Sequence, residues 1–272
     1  MNKTNLFLIF ITLLLPDAGA QLFESDVYRV NPWVDGAITL GAFGTNYWGL
    51  RIVDRKGPLD SLEISRLNPN NINAFDRSAT RQDASRMYHF WHMSDLGMEG
   101  SFLLPVLLMF DRDIREDWAP VLLLYLETEA VAGNLFSWGA AIHIDRIRPL
   151  VYNPDVSYAD KTFKRNKNSF YSGHTSSSAA ASFFVAKVYC DYHPELGAKK
   201  FIFYGLALIP PAFTGYYRYR GMKHFPTDVL TGLAVGATTG ILVPHLHRKQ
   251  DKNLTLIPVA GEYTGLAMSL KF

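Results

Sequence analysis

The chain has 272 residues, of which 48% are hydrophobic and 14% aromatic, so it is long and apolar enough to bury the core of one large domain. Its formal net charge is only +2 and it has no dense basic stripe, which argues against nucleic acid as a partner. The single cysteine, Cys190, excludes an internal disulfide and a cysteine-based zinc or iron–sulfur site.

Residues 1–20 have the features of a secretory signal peptide. Lys3 gives a positive start, Leu6–Leu15 form an apolar run, and Ala18–Ala20 form a small-residue cleavage site. An N-terminal anchor helix that stays attached is the alternative, but the apolar run is short for a membrane span. In both cases we expect export, to the periplasm or to a cell-envelope membrane with the functional part outside the cytoplasm.

The sequence from residue 21 to residue 97 is mixed in character and predicts an N-terminal segment that packs on a larger bundle. Short alternating runs such as Asp26–Val30 indicate loops with one strand. Asp60 is placed to cap a helix over Ser61–Leu67, and residues 73–95 predict a further helix.

From Gly100 onward, apolar segments alternate with polar or proline-bearing stretches, which predicts an all-α bundle of five or more helices with a core over residues 98–247. The apolar segments are 102–110, 119–126 with its continuation toward residue 143, 178–189, 201–217 and 229–243. Two of them are near the lower length limit for a membrane span, whereas Glu127 and Glu129 interrupt another at a high cost in lipid. A membrane-embedded domain and a soluble bundle therefore both remain open.

The C-terminal tail, residues 248–272, differs from the bundle. Residues 265–272 alternate apolar and polar side chains with a period of two, which is typical of a strand. We expect this strand to pair with residues 26–41, so that the N- and C-terminal segments form one short β element.

The triplet Ser172-Gly173-His174 lies where an irregular stretch gives way to small, helix-compatible residues. A helix that begins there leaves its first backbone N–H groups and its positive dipole end free for an anion. Gly173 lets an anion approach the backbone and Ser172 adds a hydroxyl donor. His174 is able to exchange a proton near neutral pH, so the triplet predicts a site for an oxyanion such as phosphate.

Two further clusters point to the same chemistry. Asp228 follows His224 by four residues, so on a helix its carboxylate is able to orient the imidazole and leave the other ring nitrogen free as a nucleophile. Arg218 offers a guanidinium for phosphate oxygens, and Arg148 offers another at an expected helix end, because a proline follows it. Each cluster alone is typical of an ordinary helix end, whereas their conjunction indicates one functional site.

This order of motifs resembles the type 2 phosphatidic acid phosphatase superfamily, which also contains bacterial non-specific acid phosphatases and vanadium haloperoxidases. The family pattern is a lysine, six residues and Arg-Pro, then Pro-Ser-Gly-His, then Ser-Arg, five residues, His, three residues and Asp. The match runs from about residue 98 to residue 247. The residues that fit the pattern are Arg148, Pro149, Ser172, Gly173, His174, Arg218, His224 and Asp228.

The resemblance implies a helical bundle of the acid phosphatase and haloperoxidase type that acts on a phosphorylated lipid or a small phosphate ester. It implies that His224 attacks phosphorus and forms a phosphohistidine, that Asp228 orients His224, and that His174 protonates the leaving oxygen. The residues implied to hold the phosphate oxygens are Arg148, Ser172, Gly173 and Arg218. No metal or other cofactor is implied.

The family's first lysine falls at Ala141, which lacks the charge. On a helix, a residue seven before Arg148 would lie on the same face and point at the phosphate. The candidates to replace this charge are Lys164, Arg165, Arg220 and Lys223. The alternatives to a lipid phosphatase are a soluble non-specific acid phosphatase, a vanadate-dependent peroxidase and, because of Ala141, a non-catalytic anion-binding envelope protein.

Overall fold

The computed structural model describes residues 22–249 and the backbone of two strands, and the predicted signal peptide lies outside the described residues. The chain is mostly helical, which confirms the predicted helical class. The α-helices are α1 (Val34–Val53), α2 (Ser61–Ser65), α3 (Ala74–Arg77), α4 (Met87–Phe102), α5 (Arg112–Glu116), α6 (Trp118–Phe136), α7 (Pro149–Tyr152), α8 (Tyr158–Lys161), α9 (Gly173–Tyr192), α10 (Lys200–Leu206), α11 (Ile209–Arg220) and α12 (Pro226–His247).

Shorter helical turns connect these elements. The 3₁₀ turns are Pro69–Asn71, Ser78–Arg81, Ala84–Arg86, Leu104–Phe110 and Pro194–Lys199, and Ser137–Ala141 form a π-helical turn at the end of α6. Asp60 caps α2 as predicted, because its side chain accepts a hydrogen bond of 2.6 Å from the backbone N–H of Glu63.

The expected pairing of the two terminal segments is wrong. Strands β1 (Leu254–Val259) and β2 (Gly265–Leu270) pair with each other in antiparallel register. Residues 34–41 instead belong to α1, and among the described residues of 26–41 only Tyr28 makes an isolated antiparallel bridge, to Arg248. The alternating run before α1 is too short to outweigh the helical segment that follows it.

Helix α9 runs through the middle of the bundle and packs against α12 at very short range. A Cβ atom on Gly232 would lie 2.5 Å from the carbonyl oxygen of Ser172, and one on Gly236 would lie 2.0 Å from that of Ser176. Only glycine allows the two backbones to touch in this way. This contact fixes the beginning of α9 beside the beginning of α12, where the predicted site residues lie.

The apolar core divides around α9. One face of α9 packs Phe184 and Val188 against Val121 and Leu124 of α6. A separate cluster lies under the turn that follows α11 and contains Leu59, Met87, Leu150, Val151, Val156 and Met222. Burial of these side chains holds the α11–α12 connection against α4 and α7.

The segment between α6 and α7 is irregular and is held by backbone hydrogen bonds to a later loop. The backbone N–H of Arg146 donates a hydrogen bond of 2.8 Å to the carbonyl oxygen of Lys167, and the N–H of Arg148 donates one of 2.8 Å to the carbonyl oxygen of Asn166. The N–H of Ser169 donates a hydrogen bond of 2.9 Å to the carbonyl oxygen of Arg146. These bonds position Arg148 and Ser169 at the edge of the bundle where α9 begins.

Two helical stretches, Ala84–Phe110 and Pro226–His247, are long and apolar enough to cross a bilayer, judged by length and composition. Core helices of soluble proteins also pass this test, so the finding alone does not decide between the two forms. The division into an N-terminal segment of residues 21–97, a core of 98–247 and a tail of 248–272 stays a prediction.

Candidate active site

The beginning of α9, the end of α11 and the loop before α7 face one pocket of about 470 Å³. Five of the seven predicted site residues line it, namely Arg148, Gly173, His174, Arg218 and His224. The other two, Ser172 and Asp228, do not line the pocket and have no exposed surface. Five residues that are far apart in the sequence therefore meet at one pocket, and Ser172 and Asp228 are buried next to its lining.

His224 is held in a single tautomer by the backbone. Its Nδ1 donates a hydrogen bond of 2.6 Å to the carbonyl oxygen of Ser169. Because a carbonyl oxygen only accepts, the proton is on Nδ1 and Nε2 keeps its lone pair. Burial, with the positive charges of Arg148 and Arg218, holds the pKa of His224 well below its usual value. His224 is therefore neutral at neutral pH, as a nitrogen nucleophile has to be.

The predicted direct contact between Asp228 and His224 is not formed. The carboxylate of Asp228 accepts a hydrogen bond of 2.6 Å from the hydroxyl of Ser169 and one of 2.9 Å from the backbone N–H of Phe225. It also pairs with Arg146. The reason is local, because in the first turn of α12 the carboxylate reaches a backbone N–H that has no helical partner. Asp228 thus positions His224 through Ser169.

Arg146 lies next to Asp228 and also contacts a second carboxylate. Its guanidinium donates to Asp76 over 2.7 Å and lies 4.3 Å from the centroid of the Phe225 ring. Asp76 also accepts a hydrogen bond of 3.0 Å from the backbone N–H of Thr227. Arg146 therefore balances two buried carboxylates and does not line the pocket. No motif in the sequence pointed to Asp76.

The imidazole of His174 lies between the carboxylate of Asp95 and the guanidinium of Arg218. Its Nε2 is 3.1 Å from Oδ1 of Asp95 and its Nδ1 is 3.3 Å from Nη2 of Arg218. Because the guanidinium only donates, Nδ1 is the acceptor and Nε2 donates to Asp95. Enclosure in the protein and the charge of Arg218 lower the pKa of His174 to about 4. A bound anion would offset the arginine charge and raise this pKa.

Asp95 is the site residue that the motifs missed. Its Oδ1 also lies 3.3 Å from Nη1 of Arg218, which donates in addition to the hydroxyl of Ser94 over 3.2 Å. Asp95 lies on α4, 79 positions before His174, in a segment without a recognisable motif. It is placed to hold both partners at the mouth of α9.

The two arginines offer hydrogen-bond donors that nothing in the described residues accepts. The Nε atoms of Arg148 and Arg218 are buried and have no hydrogen-bond partner among residues 22–249. Burial, then the neighbouring Arg218 and Arg165, lowers the pKa of Arg148 to about 9, so it keeps its charge at neutral pH. Buried donors without acceptors are costly, and an oxyanion in the pocket would satisfy them.

Lys223 adds a fourth basic group to the pocket. Its Nζ lies 3.3 Å from the centroid of the Trp91 ring. Burial, and then repulsion by Arg148 and Arg218, lowers the pKa of Lys223 to about 6. The ammonium form is therefore favoured when an anion occupies the pocket and disfavoured when it does not.

Ser172 serves the helix rather than the pocket. Its hydroxyl is 2.8 Å from Oγ1 of Thr175 and accepts a hydrogen bond of 3.4 Å from the Thr175 N–H. It is thus the N-cap of α9, as its position before Gly173 predicts. The predicted contact between Ser172 and a phosphate oxygen stays a prediction.

The reasoning that related Ala141 to Arg148 is also wrong. Ala141 is fully buried in the π-helical turn, and the helix ends well before Arg148. Arg148 has an extended backbone and precedes α7, so Pro149 begins a helix instead of ending one. The two positions share no helix face.

Of the candidates to replace the missing lysine, Lys223 and Arg165 line the pocket. Arg220 instead lies over the ring of Phe90, with 5.0 Å to its centroid. Positive charge in place of the family lysine is therefore available from Arg165, which also pairs with Asp54, and from Lys223 when an anion is bound.

A model of the PAP2 superfamily matches residues 98–252, which is more than half of the chain. A structural comparison finds a similar protein described as the first transmembrane PAP2-type phosphatidylglycerolphosphate phosphatase from Bacillus subtilis. The two are 22% identical, the likeness covers 76% of this chain and 94% of the other, and the TM-score is 0.43. A comparison with curated protein sequences gives no match. The chain therefore belongs to the PAP2 superfamily, as its motifs predicted, and is a phosphatase.

Proposed function

We propose that this chain is an exported phosphatase that hydrolyses a phosphate monoester or diphosphate of a lipid through a phosphohistidine on His224. The observation that carries the proposal is the convergence of two neutral histidines and two buried arginines on one pocket. This set supplies a nucleophile, a proton donor and a binding site for an anion.

In the first step the phosphoryl group enters the pocket and its oxygens accept hydrogen bonds from Arg148, Arg218 and the ammonium of Lys223. The lone pair on Nε2 of His224 attacks phosphorus, and the bond from phosphorus to the leaving oxygen breaks. His174 takes up a proton from solvent when the bound anion offsets the charge of Arg218 and raises its pKa, and it gives that proton to the leaving oxygen and becomes neutral. The products of this step are an alcohol, or a lipid monophosphate, and phosphohistidine.

In the second step a water molecule attacks phosphorus on the opposite side. The neutral His174 takes a proton from the water as the new oxygen–phosphorus bond forms. The bond between phosphorus and His224 Nε2 then breaks and inorganic phosphate leaves. His224 is then neutral again, and His174 releases its proton to solvent because its pKa falls when the phosphate leaves, so the cycle closes.

The character of the pocket wall favours a lipid over a small soluble ester. One side of the pocket is apolar and is lined by Leu50, Val53, Met98, Phe136 and Phe163. Helix α1, which contributes Leu50 and Val53, also exposes large apolar side chains, including Ile38, Leu40, Tyr47 and Trp48. An exposed apolar surface of this kind is typical of contact with a membrane. A lipid tail would therefore lie along α1 while its phosphate reaches the arginines.

Ala141 does not weaken the case for catalysis, because Arg165 lines the pocket and Lys223 becomes charged there when an anion is bound. The export part of the proposal rests on the apolar N-terminal segment of residues 1–20.

The test is phosphate release by the full chain in detergent micelles from a lipid monophosphate, an isoprenoid diphosphate and a soluble aryl phosphate, with the variant His224→Ala as the control. We expect the highest kcat/KM with one of the lipids. A preference for the aryl phosphate would overturn the lipid assignment. Failure of the folded chain to release phosphate from any of the three would overturn the proposed reaction.

A further inference from the structure

A second group of chemistry-bearing side chains lies away from the pocket, where three helices meet. Asp35 is in the first turn of α1, Glu127 is in the middle of α6, and His247 is the last residue of α12. One ligand atom from each lies within 4.8 Å of the others. Asp35 and Glu127 are each only 8% exposed. We refer to these three residues as the carboxylate–histidine cluster.

The hydrogen bonds around the cluster leave its acceptor atoms facing one another. His247 Nδ1 donates a hydrogen bond of 2.9 Å to the carbonyl oxygen of Val243, which leaves Nε2 as the ring nitrogen that faces the two carboxylates. Nε2 lies 3.8 Å from Oδ1 of Asp35 and 3.6 Å from Oε2 of Glu127. Both distances exceed the reach of a hydrogen bond.

One of these acceptors has nothing to accept from. Oε2 of Glu127 is buried and has no hydrogen-bond partner among residues 22–249. A buried carboxylate oxygen without a donor is costly, and two further acceptors beside it add to the cost. A cation shared by the three atoms would convert this repulsion into attraction.

We propose that the carboxylate–histidine cluster binds one divalent transition-metal ion of the Zn²⁺ class. Imidazole nitrogen together with carboxylate oxygen is a donor set that such ions take. Two tetrahedral ligands at ~2.1 Å from Zn²⁺ lie about 3.4 Å apart, so the His247 distances need to shorten by only a few tenths of an ångström. The Val243 carbonyl orients the imidazole, as is usual for a metal-bound histidine.

The surroundings allow the ion to arrive and to complete its coordination. A groove of about 550 Å³ is lined by Glu127 and His247. It gives a route for the ion and space for water as the remaining ligand. The other carboxylate is fixed from behind, because Oδ2 of Asp35 accepts a hydrogen bond of 2.6 Å from the N–H of Asn31.

This site is separate from the phosphate pocket. Asn46, the first residue of α1 that lines the pocket, is eleven positions from Asp35, or about 16 Å along the helix. The ion would therefore take no part in phosphoryl transfer. It would tie the start of α1 to α6 and to the end of α12, which stabilises the folded chain by mass action.

The experiment uses the full chain, stripped with a chelator and then titrated with Zn²⁺ by calorimetry, with the bound metal counted per chain. We expect one equivalent, and an affinity at least tenfold lower in Glu127→Gln, which keeps the size of the side chain. The matched control is Glu129→Gln, two residues later on the same helix and outside the cluster, which should bind as the wild type does. His224→Ala should also keep the full affinity.

A spectroscopic measurement keeps the inference testable if Glu127→Gln does not fold. Co²⁺ bound to the wild type should give the visible absorption of a low-symmetry site with a nitrogen ligand, and Zn²⁺ should displace it. Failure of the wild type to bind a full equivalent would overturn the proposal, as would equal affinity in Glu127→Gln and Glu129→Gln. None of these readouts depends on phosphatase activity.

Discussion

The phosphate pocket and the carboxylate–histidine cluster are opposite in sign. In the pocket, buried guanidinium groups present donors that lack acceptors among residues 22–249, and within that range only Asp95 offers a carboxylate at the pocket. In the cluster, Glu127 presents a buried acceptor with no donor in the described part of the chain. Both arrangements are unfavourable when empty, because a buried polar atom without a partner loses its interaction with water. Buried donors without acceptors thus indicate an anionic ligand, and buried acceptors without donors indicate a cationic one.

One helix connects the two regions. Helix α12 begins at Pro226, two residues after His224, and ends at His247. Its glycines hold it against α9, so a change in the middle of α12 should disturb both ends. Substitutions can therefore be chosen that affect the pocket alone, the cluster alone, or both.

The largest expected effect is the loss of the nucleophile from the pocket. His224→Ala should lower kcat by on the order of 10⁴-fold or more, because no other group can form the covalent intermediate. Phosphate release is the measurement, and circular dichroism and the Tm should show that the variant is folded. Turnover close to that of the wild type would contradict the assigned role.

A second substitution tests the arginine donors. Arg218→Lys keeps the charge but loses the planar fork, and it should lower kcat/KM about 10²- to 10³-fold. The matched control is Arg220→Lys, two residues later, where the guanidinium lies over Phe90 and outside the pocket. Equal kcat/KM in the two variants would show that the paired donors of the Arg218 guanidinium do not bind the phosphoryl group.

A third substitution disturbs the contact that both regions share. Gly236→Ala would place a Cβ atom 2.0 Å from the Ser176 carbonyl oxygen, so the helices have to separate at a cost of about 1–3 kcal/mol in the free energy of unfolding. Gly44→Ala on α1 meets nothing within 4 Å and should stabilise the chain by up to about 1 kcal/mol. Denaturant unfolding measures both. Equal stability of the two variants would mean that α9 and α12 are not in backbone contact.

The smallest effect is a pH dependence of anion binding. In the empty pocket the pKa of Lys223 is about 6, and a bound anion raises it. Binding therefore takes up a proton between pH 6 and the higher pKa of the complex. Over that interval the affinity for sulfate should fall by up to about tenfold per pH unit as the pH rises.

Calorimetry in two buffers of different ionisation enthalpy measures this proton uptake. Lys223→Met should take up less, with a shallower pH slope, whereas Lys56→Met should behave as the wild type because Lys56 pairs with Asp145 away from the pocket. An unchanged slope in Lys223→Met would contradict the role of this lysine.

Local signals predicted the parts of the site that lie at helix ends. The beginning of α9 at Gly173 and that of α12 at Pro226 follow from a capping serine and a first-turn proline, and these signals act over a few residues. The partners of the histidines could not be predicted in the same way. Asp95 reaches His174 across 79 positions, and Ser169 reaches His224 across 55, with no motif at either residue.

The wrong predictions have a common origin. Ala141 was related to Arg148, and Asp228 to His224, through the spacing of an ideal helix. The helix ends after Ala141. The carboxylate of Asp228 accepts a hydrogen bond from the Phe225 N–H and pairs with Arg146. Spacing predicts contact only where the helix continues and no nearer partner competes.

The most direct test of the central claim is to trap the covalent intermediate. The full chain is mixed with a substrate labelled in its phosphoryl group, quenched at alkaline pH, at which phosphohistidine survives, and digested for mass spectrometry. We predict one labelled peptide that contains His224, with no label in His224→Ala. Label on another residue, or turnover without any labelled peptide, would contradict the claim that the pocket presents His224 to phosphorus.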